Sequence, residues 1–166
     1  IGLGHFVTIA VAQGRFQLVG RQHQLERNDG NNHLHGGGAM AFHRRPWKVV
    51  AANDGAVEMA LRSDAGEGGY PGRLDVSARY ALQEDGALLI EYRAVTDAPT
   101  IVNITNHSYF NLRGRGDAMG HLLTLHASRF TPVDAQLIPT GELANVAGTP
   151  FDFRTATTVG ERIRQP

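Results

Sequence analysis

Cysteine is missing altogether, and lysine appears once, at Lys48, among sixteen cationic side chains. Without thiols there is no disulfide scaffold, no thiolate zinc site and no cysteine nucleophile. That lack fits a reducing compartment, and the cytoplasm is the expected location. Net charge is missing too: sixteen Lys and Arg balance sixteen Asp and Glu. No basic field therefore attracts nucleic acid or an anionic membrane, and neither is expected as a partner. No apolar run approaches the roughly 18 residues of a membrane-spanning helix. The sequence starts at Ile1 rather than Met and carries no signal-peptide pattern. Also lacking are a G-x-x-x-x-G-K loop, a G-x-G-x-x-G after a strand and a serine in a nucleophile elbow. Nucleotide binding, dinucleotide redox chemistry and triad hydrolysis thus have no support.

What is present points to strands. A length of 166 residues is about one domain, and 42% hydrophobic residues suffice for a core. Twenty glycines favour turns over long helices. Arg15 to Leu25 reads as a hairpin around Val19-Gly20-Arg21. Val57, Met59 and Leu61 alternate with polar or small residues, and Leu74, Val76, Ala78, Tyr80 and Leu82 alternate more cleanly. Glu84-Asp85-Gly86 supplies a turn, and Leu88, Ile90, Tyr92 and Ala94 continue beyond it as the second arm of a long antiparallel hairpin. Further strands are expected at Trp47–Ala51, Thr100–Thr105 and Leu122–Ala127, with a short helix at most near Val159–Ile163. Many short strands separated by turns argue for an all-β antiparallel sandwich occupying residues 1–166 as a single, partial domain.

Three clusters could carry chemistry. In Asn31-Asn32-His33-Leu34-His35-Gly36-Gly37-Gly38, strand geometry would put His33 and His35 on one face, before glycines that permit a sharp turn. Imidazoles suit hydroxyl-rich ligands or proton transfer. The competing readings are a metal pair, with His43 as a third ligand in a small metal-binding barrel, and a turn whose histidines only satisfy backbone groups. In Thr105-Asn106-His107-Ser108-Tyr109-Phe110-Asn111, an extended chain would align Asn103, Thr105, His107 and Tyr109 as the floor of a polar cleft. The alternative is a solvated sheet face. The third cluster, Asp134 to Glu142, is a turn whose carboxylates are more readily solvated than catalytic.

Five motifs in order resemble the aldose 1-epimerase, or galactose mutarotase, family. They are Asn32-His33-Leu34-His35-Gly36-Gly37, Glu67-Gly68-Gly69-Tyr70-Pro71-Gly72, Thr105-Asn106-His107-Ser108-Tyr109-Phe110-Asn111-Leu112, Leu137-Ile138-Pro139-Thr140-Gly141-Glu142 and Pro150-Phe151-Asp152-Phe153-Arg154. The resemblance implies a large antiparallel β-sandwich and interconversion of α and β anomers of free aldoses, without a cofactor and without a metal. It implies that His107 is the general acid. It further implies that His35 binds and orients the sugar, with Tyr109, Ser108 and Asn106 beside it, and that His33 stands behind these contacts.

Two departures accompany the resemblance. Ile9 and Ala10 stand where the family carries an Asn-Arg pair whose arginine contacts the sugar. A fixed guanidinium is not replaced by a methyl group. Family members are also longer at both ends, and the general-base glutamate lies beyond the position of Arg154. Glu161 is a poor substitute. The expectation is the central portion of a mutarotase, holding the acid but not the base and weakly active or inactive by itself. A sugar-binding sandwich without catalysis is the second expectation.

Overall fold

The computed structural model describes residues 5–7 and 10–165, with side chains described from residue 10 onward. Ile9, half of the expected Asn-Arg position, lies outside the described residues. Contacts divide the chain into two compact units, one up to His107 and one from Ser108. Each is described by itself.

The first unit contains β1 (His5–Val7), β2 (Ala10–Val11), β3 (Arg15–Leu18), β4 (Arg21–Gln24), β5 (His33–Leu34), β6 (Lys48–Ala52), β7 (Ala56–Ser63), β8 (Leu74–Leu82), β9 (Leu88–Thr96) and β10 (Ile104–Asn106). Its centre is the antiparallel sheet β6-β7-β8-β9. The alternation read from the sequence explains it. Leu74, Val76, Ala78 and Tyr80 are all buried, while Arg79 between them is exposed. Across the ladder Met59 faces Ala78, which faces Tyr92, and Val57 faces Tyr80, which faces Ile90. Such cross-strand pairs are the unit of sheet stabilisation. Met59, Ala78 and Tyr80 form a core against which Trp47, Val57, Ile90 and Tyr92 pack. The outer face is laced by Arg62–Asp75 and Arg79–Glu91, each pair directly opposed in register.

The expected hairpin at 15–25 is β3–β4, with Leu18 opposite Arg21. A two-residue loop of this kind needs positive φ at both central positions, and Val19 and Gly20 have φ of 48° and 72°. Smaller ribbons pair β2 with β5 and β1 with β10.

The second unit holds short two-stranded ribbons. In it β11 (Leu122–Leu123) pairs with β14 (Thr157–Thr158), and β12 (Arg129–Phe130) pairs with β13 (Ala144–Asn145). The single turn α1 (Val159–Arg162) lies where a short helix was expected. Among the described residues no helix is long and apolar enough to cross a membrane.

Two expectations about strands are corrected. The strand expected at 100–105 begins only at Ile104; residues 100–103 find no ladder partner among the described residues and line a cleft. The strand expected at 122–127 stops at Leu123; Leu125 then donates its N–H to the Phe153 carbonyl in a loop contact. No sheet of the described residues closes into a barrel.

Candidate active site

The Gly-rich motif meets His107, the last residue of the first unit. The rings of His35 and His107 lie edge to face, centroids 6.2 Å apart, although 72 positions separate them in the chain. His35 is half-buried and sits at φ 53°, a left-handed conformation that ends β5 immediately after Leu34. Asn106, the last residue of β10, reaches back to the sheet through its side-chain amide, which donates to the Tyr80 hydroxyl at 3.4 Å.

The expected common face for His33 and His35 does not form. The backbone reversal at His35 sends the two residues to different surroundings. His33 is fully buried. Its Nδ1 lies 2.7 Å from the Glu26 carbonyl and its Nε2 lies 2.6 Å from the Tyr70 hydroxyl. A carbonyl can only accept, so Nδ1 carries the proton and donates, leaving Nε2 to accept from Tyr70. Burial depresses the His33 pKa, against the opposing pull of the Glu26 carbonyl and carboxylate. Burial likewise raises the Tyr70 phenol to about 12. His43 is also depressed, first by burial and then by the charges of Arg44 and His35. Among the described residues no group of three or more His, Asp or Glu side chains could hold a metal ion, so His33, His35 and His43 are not a ligand set.

The row Asn103, Thr105, His107 and Tyr109 is not one strand face, because β10 ends at Asn106. Ser108 and Tyr109 begin the second unit, where Tyr109 is 90% exposed. A narrow, mainly apolar cleft lies beside the His35 turn, with Gly36, Phe42, Tyr70, Leu74, Ile101 and Ile104 in its wall; neither His35 nor His107 lines it.

The Gly-rich loop 66–72 packs against β4 and the turn, and Glu67, Gly68, Tyr70 and Gly72 also line the cleft. Gly69, at φ 89°, comes so close to β4 that a Cβ there would overlap the Gln24 carbonyl oxygen. Glu26 donates its N–H to the Gly68 carbonyl. Glu67 is held by Arg45 at 2.6 Å, and Arg45 also donates to the Arg62 carbonyl.

In the second unit Asp134 and Asp152 have structural work. Asp134 accepts N–H bonds from Gln136 and Ile138 and so shapes the Pro139 turn. Asp152 takes a two-point contact from Arg154, whose hydrogen bonds hold its carboxyl at about 2.

Comparison with known proteins bears on what these groups do. A sequence model of the aldose 1-epimerase family matches residues 6–165. The chain belongs to the aldose 1-epimerase family. It is 43% identical over 157 residues to a galactose mutarotase of Bos taurus, covering 93% of this chain and 45% of that protein. It is 43% identical over 150 residues to an aldose 1-epimerase of Escherichia coli K12, covering 90% and 43%. A solved aldose epimerase homologue from C. elegans superposes with a TM-score of 0.90 at 30% identity, over 96% of this chain and 50% of that one. A galactose 1-epimerase from Lactobacillus acidophilus gives a TM-score of 0.86 at 34% identity, over 96% and 48%. The chain thus spans about half the length of the relatives it matches. The all-β, mutarotase-like fold read from the sequence holds.

Around this candidate site, sequence reasoning missed Glu26, Tyr70 as a hydrogen-bond partner, and Arg45. One signal for them was available: a Glu-Gly-Gly-Tyr loop between two strands must pack its glycines against something. The partner it packs on is 45 positions earlier and carries no pattern of its own.

Proposed function

We propose that this chain supplies the acid side of an aldose 1-epimerase site, acting on free aldoses such as galactose and glucose. The observation that carries the proposal is the edge-to-face approach of His35 and His107 at 6.2 Å. Two imidazoles from distant motifs, one half-buried and the other beside it, offer both a hydrogen-bonding contact for sugar hydroxyls and a group able to transfer a proton near neutral pH. In this reading His107 protonates the ring oxygen while a carboxylate takes the proton of the C1 hydroxyl. The bond from C1 to the ring oxygen breaks, C1 turns its other face, and reclosure returns both protons. His35 orients the sugar, with Asn106 beside it.

The carboxylate is assigned to no residue of this chain. Glu67, Asp75, Glu91 and Asp152 are paired with Arg45, Arg62, Arg79 and Arg154, and Asp134 is spent on its own turn. General acid or base catalysis contributes about 10²–10⁴-fold, so the chain by itself should be slow by that order. Polarimetry of fresh α-galactose tests this. The expected result is a rate barely above buffer, with the excess abolished in His107→Ala and unaffected in Glu161→Ala. Adding a polypeptide that carries the half of a relative this chain does not match should restore the rate. Ordinary enzymatic rates that survive His107→Ala would overturn the proposal.

A further inference from the structure

The turn that presents His35 is closed at both ends by one residue. The backbone carbonyl of Glu26 takes the His33 Nδ1 proton at 2.7 Å, and its side-chain carboxylate accepts the Gly38 N–H at 3.0 Å. Between these two anchors lie Leu34, His35, Gly36 and Gly37, with Gly37 donating its N–H to the Leu34 carbonyl. The glycines leave room for the Glu26 carboxylate to lie against the turn. A Cβ on Gly37 would sit 2.8 Å from one Glu26 carboxylate oxygen and 3.3 Å from His33 Cε1, and a Cβ on Gly38 would sit 2.6 Å from the other oxygen. Glu26 is itself fixed by its N–H bond to the Gly68 carbonyl, and the same loop brings the Tyr70 hydroxyl to His33 Nε2. The His33 and Tyr70 rings also meet edge to face at 5.5 Å.

We infer that Glu26 and His33 are positioning residues that, with Tyr70, set the ring of His35 against His107. The inference rests on the proposed sugar site for its purpose, but its geometry does not depend on that site. Loop 66–72 fixes Glu26, Glu26 grips the turn before and after His35, and the left-handed backbone at His35 then directs its ring. A charge-assisted bond from a backbone N–H to a carboxylate is stronger than a neutral one, and this one, on the exposed side of the turn, restrains only four residues. Neither Glu26 nor His33 needs to touch the sugar.

The test compares Glu26→Ala, Glu26→Gln and Tyr70→Phe in the full chain. The first readout is the proton NOE between the His35 and His107 rings. The second is the shift of both rings on titration with galactose. Glu26→Ala should lose the ring NOE and bind galactose about tenfold more weakly, the scale of one lost hydrogen bond. Glu26→Gln should recover both, because its amide oxygen still accepts from Gly38. Tyr70→Phe should weaken both in the same direction. A role limited to general stability would lower the melting temperature while leaving the ring NOE intact, and that result overturns the inference. So does a Glu26→Gln protein that behaves as Glu26→Ala. If Glu26→Ala loses native Trp47 fluorescence, Tyr70→Phe decides alone, and a wild-type NOE and affinity there overturn the inference. A wild-type ring NOE that is lost in Glu26→Ala, with no galactose shift in either protein, upholds the positioning role and retires the sugar reading.

Discussion

The sheet β6–β9 and the turn His33–Gly38 hold their side chains in place by different means. In the sheet each inward residue is one of several doing the same job. Ala78 is flanked by Met59 and Tyr92, Tyr80 by Val57 and Ile90, and the ladder repeats the arrangement every second residue. In the turn every hydrogen-bonding support is single: one carbonyl, one carboxylate and one phenol, with Gly37 and Gly38 leaving room for them to meet. Repetition makes the sheet stable and tolerant. Singularity makes the turn exact in geometry and easily disturbed, which is what a pair of facing imidazoles from distant motifs requires.

The comparison can be broken first at the sheet's centre. Ala78 is fully buried in the core, so Ala78→Asp introduces a charge with no partner. A loss of about 4 kcal/mol is expected. The lone Trp47 packs on that core, and its fluorescence during urea unfolding reports the change.

A second contrast sets two glycines of positive φ against each other. Gly69 at 89° would thrust a Cβ into the Gln24 backbone, whereas Gly86 at 83°, in the β8–β9 turn, meets nothing within 4 Å. Gly86→Ala should cost about 1 kcal/mol, the ordinary penalty of the left-handed region. Gly69→Ala should cost about 3 kcal/mol. It should also displace Tyr70 from His33, seen as loss of a slowly exchanging His33 Nδ1 proton by NMR.

A smaller effect follows from pH. Burial lowers the folded pKa of His33 below its usual value, so the unfolded chain takes up the proton first. Stability contributed by neutral His33 is therefore complete above about pH 6.5 and is lost as pH falls below it. His43 adds in the same direction. The urea midpoint should drop between pH 7 and pH 5, and the drop should be smaller in His33→Gln. An equal drop in that variant would show that His33 is not the group responsible.

The smallest effect belongs to the outer face of the sheet. Arg62 is held against Asp75, which raises the guanidinium pKa and lowers that of the carboxyl, yet both side chains are well exposed. Water and salt screen such pairs. Arg62→Gln should leave the urea midpoint within replicate scatter at moderate salt.

The amount legible in the sequence differs between the two regions for a physical reason. The alternation Leu74, Val76, Ala78, Tyr80 is written at a spacing of two because a pleated strand has that period, and the Glu84-Asp85-Gly86 turn fixes which strand comes next. Burial from Leu74 to Tyr80 followed without knowing anything distant, whereas Leu82 and Leu88, beside the turn, are exposed because the sheet's core does not extend that far. Where the period could not be checked against a ladder, the reading overran: Thr100–Val102 looks as strand-like as its neighbours but has no paired strand among the described residues. The His33–His35 spacing misled in another way, since a strand that stops at Leu34 no longer alternates.

By itself the sequence determined the all-β class, the long hairpin and the membership carried by five ordered motifs, and it singled out His35 and His107 as candidates, because each of these is encoded in local residue type or spacing. Only the tertiary structure decided that His33 turns inward while His35 turns towards His107. It also decided that Glu26 grips both ends of the turn and that Tyr70 caps the buried imidazole. Those outcomes depend on carbonyls, N–H groups and glycine clearances brought together from positions 24–26, 33–38 and 66–70. Backbone groups are the same in every residue, so no pattern of side chains along the chain announces where they will meet.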